Sequence, residues 1–292
     1  NVNGVNVSRE ELRRRYRVRI PESPGIDDCP PTREELRKIL LSSSLKYRAI
    51  FSFLSATGMR PSEALILRVG DLEPHPFDAL ETGEVVKVNV LLGKKGSYVT
   101  FCHLEAVEVL CEYLRWLEEY HGVDVEDGNQ ILFYNPRSKK RLYMINTIER
   151  YWRSRLLALG LGDVIQYGRR VIYRRRLYTL RKFFRTNLEA AGVPYGVVEA
   201  LLGHKNYYVR FSEEVCRKYY EKGMWALMVF RELSESKVIE LVEASMKPLR
   251  EEVEKLRLEL ERRELEKERE FRNTIERLYR LLKRLEKAGE GG

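Results

Sequence analysis

Two hydrophobic periods run along the chain, and together they predict a mostly helical protein with one small sheet. Apolar residues recur at helical spacing in the stripe Leu177, Leu180, Phe184 and Leu188. Residues 84–101 instead predict two short valine-rich strands around a Gly-Lys-Lys-Gly-Ser turn. The expected fold class is therefore mainly α with a small antiparallel β-sheet.

Residues 56–72 predict a helix that ends near Ala56, a Gly-Met break and a second helix that begins at Pro61. Proline is well tolerated in the first turn of a helix because its missing N–H would have no partner there. Arg60 then stands at the start of the second helix, with Glu63 three residues on. The expected inward stripe of this helix is Leu65, Ile66 and Val69.

Three further segments combine a helix or strand signal with a chemically active residue. Lys94 directly follows Gly93 in the predicted hairpin turn, and Lys95 is next to it. Gly203 fits the left-handed end of a helix, so His204 should project beyond that helix end. Ser212 and two first-turn glutamates predict the start of another helix, which carries Tyr219 and Tyr220 near its end.

These segments, in this order over residues 31–232, resemble the tyrosine recombinases, the integrase family that cuts and rejoins DNA through a phosphotyrosine. The resemblance implies a catalytic domain of that type and a nucleophile at Tyr220, with Tyr219 as the alternative. Position 178, three before Arg181, is commonly histidine in the family and is tyrosine here. A phenol is a poor general base at neutral pH. The implied catalytic set is Arg60, Lys94, Tyr178, Arg181, His204 and Tyr220.

These residue types can carry out phosphoryl transfer without a metal or another cofactor. Arg60 and Arg181 can grip the non-bridging phosphate oxygens, His204 can add a donor, and Lys94 can protonate the leaving oxygen. Glu63 is expected to orient this cluster. A metal-dependent nuclease is disfavoured because no carboxylates converge at a suitable spacing. The four cysteines show no paired spacing, which disfavours zinc; they are Cys29, Cys102, Cys111 and Cys216.

The charge distribution favours double-stranded DNA as a partner. The chain has a net charge of +9, and residues 168–186 hold many basic residues with no acid and several interleaved tyrosines. No apolar run is long enough to cross a bilayer, and the scattered cysteines without a signal peptide suggest a cytoplasmic, nucleoid-associated protein. The expected DNA contacts are Arg169, Arg170, Arg174, Arg175, Arg176, Lys182 and Arg185.

Three parts are expected along the chain: a basic arm or linker over 1–30, the catalytic domain over 31–232 and a long helix over 233–292. The family usually has a DNA-clamping domain before the catalytic one, and a start at Asn1 favours its removal. The last part predicts a coiled-coil seam and hence a homo-oligomer, a tetrameric synapse on DNA. Its alternative is a helix folded back on its own domain. The seam residues are Leu249, Val253, Leu256, Leu260, Phe271, Ile275, Leu278, Leu282 and Leu285.

The function that fits best is a recombinase or integrase of a virus, plasmid or other mobile element. The first alternative is an architectural DNA-binding protein on a recombinase fold that no longer cuts. A type IB topoisomerase is the nearest alternative enzyme. Abundant charged residues, with glutamine only at Gln130 and Gln166, hint at a thermophilic source.

Overall fold

The structure is a computed structural model that describes residues 28–94, 96–138, 142–167, 170–204 and 211–231, and five positions of the C-terminal part. The chain divides into two units, residues 1–231 and residues 232–292. The five described positions of the second unit are helical and exposed: Glu254, Lys255, Arg257, Arg262 and Arg263. The predicted coiled-coil seam and nearly all of the predicted N-terminal arm lie outside the described residues.

Helices make up most of the described part of the first unit, as the sequence predicted. A capping box at Thr32 opens the first helix, since Thr32 Oγ1 accepts from the Glu35 N–H and the Glu35 carboxylate accepts from the Thr32 N–H. The helices are α1 Arg33–Leu41, α2 Leu45–Thr57, α3 Pro61–Ala64, α4 Pro76–Thr82, α5 Leu104–His121, α6 Ile145–Ala158, α7 Thr179–Ala190, α8 Tyr195–Leu201 and α9 Glu213–Gly223.

Two small antiparallel sheets complete the described fold. The first has the order β1-β2-β3, with β1 Leu72–Glu73, β2 Val86–Val90 and β3 Tyr98–Cys102. The predicted hairpin is β2-β3, in which Val86 pairs with Cys102 and Val90 with Tyr98. The second sheet pairs β4 Val164–Tyr167 with β5 Arg170–Tyr173 and was not expected from the sequence.

The core is built around α2, which is buried along almost its whole length. It packs against α5 and α7, and its end lies against β3. The predicted stripe of α7, from Leu177 to Leu188, is buried as expected. Because α2 is enclosed by these elements, the turn that follows it is fixed next to both α7 and β3.

Gly58 makes that turn, and only glycine fits there. Its φ is +63°, and a Cβ at this position would lie 2.5 Å from the Phe184 ring of α7. A side chain would therefore meet both a strained backbone and a buried ring. The result is a close approach of the α2–α3 turn to α7, which brings Arg60 towards Arg181.

The stripe predicted after Pro61 is correct at two of its three positions. Leu65 and Val69 are buried, but Ile66 is exposed, so its placement in the core was wrong. The reason is the length of α3, which ends at Ala64, so the helical period does not extend to Ile66. Ile66 instead lines a surface groove with Leu91 and Leu92 of the hairpin.

The end of the first unit is anchored by a buried carboxylate. Glu105 of α5 accepts hydrogen bonds from the main-chain N–H groups of Val229 at 2.6 Å, Phe230 at 3.0 Å and Arg231 at 2.7 Å. Charge-assisted bonds of this kind stabilise a buried carboxylate. Among the described residues, no helix is both long and apolar enough to cross a membrane.

Candidate active site

Arg60 is held at the N-terminal end of α3. Its backbone is extended, with φ −70° and ψ 138°, and Pro61 follows as the first helical residue. Its Nη1 lies 2.9 Å from Oε1 of Glu63. Glu63 is only 5% exposed. The guanidinium of Arg60 is therefore oriented by a charge-assisted hydrogen bond that is largely shielded from water.

Glu63 collects donors from the helix and from the hairpin. Its Oε1 also accepts from the Lys94 main-chain N–H at 3.0 Å, and its Oε2 accepts from the Tyr98 hydroxyl at 2.8 Å. Burial alone would raise the pKa of Glu63, but the hydrogen bonds from Lys94, Tyr98 and Arg60 lower it below its usual value. The carboxylate thus stays charged and joins α3 to the hairpin.

Lys94 is brought to this cluster by its backbone. It lies in the turn between β2 and β3, where it is exposed and forms an isolated bridge with Gly96. The hydrogen bond to Glu63 fixes the start of its side chain beside the Arg60 pair. Lys95, the second candidate, lies outside the described residues. The geometry is compatible with the role expected for Lys94.

Arg181 lies in the first turn of α7 and is 4% exposed. Its guanidinium donates to the Gly58 carbonyl oxygen at 2.7 Å and to the Leu202 carbonyl oxygen. Burial lowers the pKa of Arg181, and the nearby positive charge of Arg60 lowers it further. Arg181 therefore ties together the turn before Arg60 and the turn before His204.

His204 follows α8 as predicted, after Gly203 with φ +67°. Its Nδ1 lies 2.8 Å from Oε2 of Glu199, and its Nε2 lies 3.1 Å from Nη2 of Arg181. An arginine nitrogen can only donate, so Nε2 is the acceptor and Nδ1 carries the proton that bonds to Glu199. The sequence expectation was a donor at this position, and in this state Nε2 is an acceptor.

Two residues of the site were missed by the sequence reasoning. Glu199 precedes His204 by one helical turn and also forms an ion pair with Arg185, with the charged atoms 3.2 Å apart. Tyr98 begins β3 and shares a face of that strand with Thr100, which donates to the Thr57 carbonyl oxygen. An aromatic residue on the inward face just after the lysine turn was the signal that could have found Tyr98.

Tyr178 stands at the start of α7, one turn before Arg181, and is 41% exposed. Its side chain does not cap the helix. The phenol is therefore accessible at the edge of the cluster, at the position where the family commonly has histidine.

The helix predicted after Ser212 is α9, and the Ser212 hydroxyl accepts from the Val215 N–H as expected. Tyr220 on this helix is fully buried, and its hydroxyl donates to the Ala56 carbonyl oxygen at 2.8 Å. Burial raises the pKa of Tyr220 well above its usual value. The structure does not bring this hydroxyl into the Arg60–Arg181 cluster. Tyr219 is half-buried and packs against the core.

The basic segment, defined here as residues 169–185, contains no acidic residue, but several of its cations pair with acids from other parts of the chain. Arg175 is 12% exposed on its side chain and pairs with Glu35 at 3.0 Å and with Asp163. It is therefore held within the fold by two ion pairs, and its expected contact with DNA stays a prediction. Asp28 pairs with Arg176 at 2.7 Å and with Lys182 at 3.3 Å.

Other members of the segment differ in their surroundings. Arg185 pairs with Glu189 and Glu199, and it stacks over the Tyr195 ring. Arg174 is half-buried. Arg170 begins β5, and Arg169 lies outside the described residues.

Within the described residues there is no group of three or more His, Cys, Asp or Glu side chains that could hold a metal.

The described site thus brings Arg60, Lys94, Arg181 and His204 together from four segments: the α2–α3 turn, the β2-β3 hairpin, the start of α7 and the end of α8. Two arginines and a histidine therefore lie close together in a mostly helical domain. The chain belongs to the phage integrase family, whose sequence profile matches residues 32–209. No curated protein sequence matches the chain.

Among solved structures, the chain is similar to that of XerA recombinase, with 19% identity and a TM-score of 0.46, over 80% of this chain and 72% of that chain. It is also similar to XerH site-specific recombinase bound to difH substrate, with 17% identity and a TM-score of 0.45, over 73% of this chain and 53% of that chain. The integrase from mycobacterium phage Brujita shows 14% identity and a TM-score of 0.47, over 76% and 66% of the two chains. The chain thus spans about half the length of XerH.

Proposed function

We propose that this protein is a site-specific recombinase that cleaves and rejoins DNA through a covalent 3′-phosphotyrosine, as the integrase of a mobile element. The observation that carries the proposal is the convergence of Arg60, Arg181 and His204, with Glu63 bound to Arg60, in a chain of the phage integrase family. Two fixed guanidiniums at one point form a site for a phosphate diester.

The arginine pair supplies the electrostatic part of the reaction. Negative charge grows on the non-bridging oxygens of the phosphate as the nucleophile attacks, and guanidiniums hold that charge through planar, permanently charged forks. Arg60 is oriented by Glu63, and Arg181 by two main-chain carbonyl oxygens. Their positions therefore need little rearrangement when DNA binds.

Two protons move in the cleavage step. The tyrosine oxygen forms a bond to phosphorus, and the bond between phosphorus and the 5′-oxygen breaks. The phenolic proton passes to a base, for which the candidate is Nε2 of His204, the unprotonated nitrogen in the tautomer set by Glu199; to act, it must give up the hydrogen bond that it accepts from Arg181. The departing 5′-oxygen takes a proton from Lys94. The phosphotyrosine conserves the bond energy, so the reverse attack of a 5′-hydroxyl reseals the strand.

The nucleophile in this proposal is Tyr220 of α9, with Tyr219 as the alternative. Tyr220 is bonded to the Ala56 carbonyl oxygen in the core, so cleavage by Tyr220 requires α9 to move when DNA is bound. Tyr219 is half-buried and needs a smaller displacement. The two tyrosines are adjacent, and each is a matched control for the other.

The test is covalent trapping on a nicked suicide DNA substrate, followed by mapping of the peptide linked to DNA. We expect the adduct on the peptide that contains Tyr219 and Tyr220. Tyr220→Phe should abolish the adduct while DNA binding is retained, and Tyr219→Phe should still form it. The opposite pattern moves the nucleophile to Tyr219, and an adduct in both variants rules out α9. EDTA should leave the wild-type adduct unchanged.

A second candidate function is an architectural DNA-binding protein that does not cut. The complete burial of Tyr220 and the tyrosine at position 178 favour it. This protein would bind the same DNA as the recombinase but form no adduct on any nicked substrate. The trapping experiment therefore separates the two functions directly.

The DNA partner and the oligomer belong to the same proposal. A net charge of +9 favours a polyanionic partner. Recombination needs several protomers on two duplexes, and we propose that the tail beyond residue 232 holds them together through its leucine seam. Truncation after Glu232 should lower the molar mass measured by light scattering while adduct formation persists. A full-length protein that is monomeric at micromolar concentration would contradict the assembly role.

A further inference from the structure

We propose that Tyr98 is a positioning residue that couples the Lys94 hairpin to the arginine pair, an inference that rests on the cleavage reaction proposed above. Tyr98 and Lys94 share one acceptor group, since the Tyr98 hydroxyl donates to Oε2 of Glu63 at 2.8 Å and the Lys94 N–H donates to Oε1 at 3.0 Å. Arg60 binds the same carboxylate. The hairpin therefore makes two hydrogen bonds to Glu63, one from the Lys94 main chain and one from the Tyr98 phenol, and Glu63 in turn binds Arg60.

The Tyr98 ring is enclosed by two turns that carry functional residues. A Cβ on Gly203, the residue before His204, would lie 2.5 Å from Cδ1 of the ring. A Cβ on Gly93, the residue before Lys94, would lie 3.0 Å from Cε1. The backbones of both turns therefore lie so close to the ring that a side chain on either glycine would crowd it. The ring thus acts as a spacer that sets the separation between the Lys94 turn and the His204 turn.

The hydroxyl of Tyr98 acts as a donor in this arrangement. Burial raises its pKa above the usual value, and the neighbouring Glu63 carboxylate raises it further. The phenol therefore keeps its proton and holds Glu63. The Arg181 guanidinium also neighbours this phenol. One side chain thus touches the hairpin, the arginine pair and the His204 turn without being placed to react.

This coupling predicts which step fails when the hydroxyl is removed. In Tyr98→Phe the ring still fills the space between the turns, and Arg60 remains paired with Glu63. What is lost is one of the attachments of the hairpin and the contact of the phenol with Arg181, whose guanidinium keeps its hydrogen bonds to the Gly58 and Leu202 carbonyl oxygens. The defect should therefore fall on protonation of the leaving 5′-oxygen by Lys94, and not on the grip of the phosphate.

The experiment compares two suicide substrates, one with the ordinary 5′-oxygen and one with sulfur in its place at the scissile phosphate. A thiolate leaves without a proton, so it does not need the acid. We expect Tyr98→Phe to slow cleavage of the oxygen substrate at least about tenfold, the scale of one hydrogen bond to a charged group, and to cleave the sulfur substrate at the wild-type rate. Lys94→Ala should show the same pattern, and Arg181→Lys should slow both substrates.

Tyr113→Phe is the matched control, because its hydroxyl also donates within the core, to the Tyr134 carbonyl oxygen at 3.0 Å, but away from the site. It should leave both rates unchanged. Equal slowing of both substrates by Tyr98→Phe, or no slowing, overturns the positioning role. Loss of the adduct on both substrates would make Tyr98 essential for attack itself, which also overturns it. A wild-type protein that cleaves neither substrate overturns the proposed recombinase function instead.

Discussion

The arginines of the candidate active site lie close together, whereas those of the basic segment pair separately with acids from other parts of the chain. Arg60 and Arg181 meet at one point, where a single buried carboxylate and main-chain carbonyl oxygens hold them. In the basic segment, Arg175 and Arg176 each bind acids supplied by distant parts of the chain. Arg60 pairs with one carboxylate and Arg181 is held by uncharged carbonyl oxygens, so acids neutralise this pair less than they neutralise Arg175 and Arg176. Positive charge available to a phosphate therefore depends on this geometry more than on the number of arginines.

The largest effect should come from replacing the convergent arginines. Arg60→Lys and Arg181→Lys should each slow cleavage at least about a hundredfold, because an ammonium cannot reproduce a guanidinium fork. Single-turnover rates on the suicide substrate measure this loss. The matched control is Arg176→Lys in the basic segment, which should change the rate less than about threefold. Similar losses in all three variants would remove the distinction between the two regions.

Arg175 should matter for stability more than for DNA. Arg175→Ala should lower the free energy of unfolding by about 2 kcal/mol, because it leaves Glu35 and Asp163 without their shared partner. Chemical denaturation measures the change. Arg153→Ala is the control, since its pair with Glu149 is exposed and should contribute less than about 0.5 kcal/mol. Unchanged stability in Arg175→Ala, with weaker DNA binding, would restore its expected role as a DNA contact.

Asp28 should limit the DNA affinity of the basic segment. It pairs with both Arg176 and Lys182, so Asp28→Asn releases two cations. We expect DNA to bind about two- to fivefold more tightly, with a steeper dependence of affinity on salt concentration. Fluorescence anisotropy over a series of salt concentrations measures both. Weaker binding by Asp28→Asn would mean that the ion pairs orient these cations for DNA and do not mask them.

The smallest effect should appear in the acid stability of the two regions. The pKa of Glu63 is lowered in the folded state, so the unfolded chain takes up its proton first as the pH falls. The stabilisation is complete above the unfolded pKa of about 4.5 and is lost as the pH falls below it. The pKa of Asp28 is lowered too, despite the opposing effect of burial, by Arg176 and Lys182.

Unfolding measured between neutral pH and pH 3 should therefore show a flatter acid limb in Glu63→Gln and in Asp28→Asn than in the wild type. Glu149→Gln, at an exposed helix position, is the control and should retain the wild-type slope. An unchanged slope in Glu63→Gln would contradict the lowered pKa of the shared carboxylate.

The sequence predicted the parts of the site that depend on local signals. Pro61, Gly203 and Ser212 each mark a helix end, and those ends place Arg60, His204 and the tyrosine pair on the expected elements. The alternation of valines identified β2, and helical spacing identified the buried face of α7. Local backbone chemistry was sufficient in these cases because each signal acts within a few residues.

Long-range pairing explains what the sequence did not predict. The absence of acids from residues 168–186 indicated free positive charge, but Asp28, Glu35 and Asp163 reach the segment from elsewhere in the chain. The strand pattern could mark Tyr98 as an inward-facing residue, but its hydrogen bond to Glu63 joins the hairpin to α3 across 35 positions of the sequence. The burial of Tyr220 depends on Ala56, which is 164 positions away along the sequence. Spacing along the chain carries no information about such contacts.

The anchor at Glu105 also determines how the first unit responds to mechanical load. Three consecutive N–H groups, from Val229 to Arg231, donate hydrogen bonds to one carboxylate of α5. Tension applied to the chain beyond Arg231 acts first on the contacts of Arg231 with Arg33, Glu105 and Glu108, and so passes into α1 and α5. The load therefore reaches the α9 helix, which ends at Gly223, only after the hydrogen bonds to Glu105 have broken.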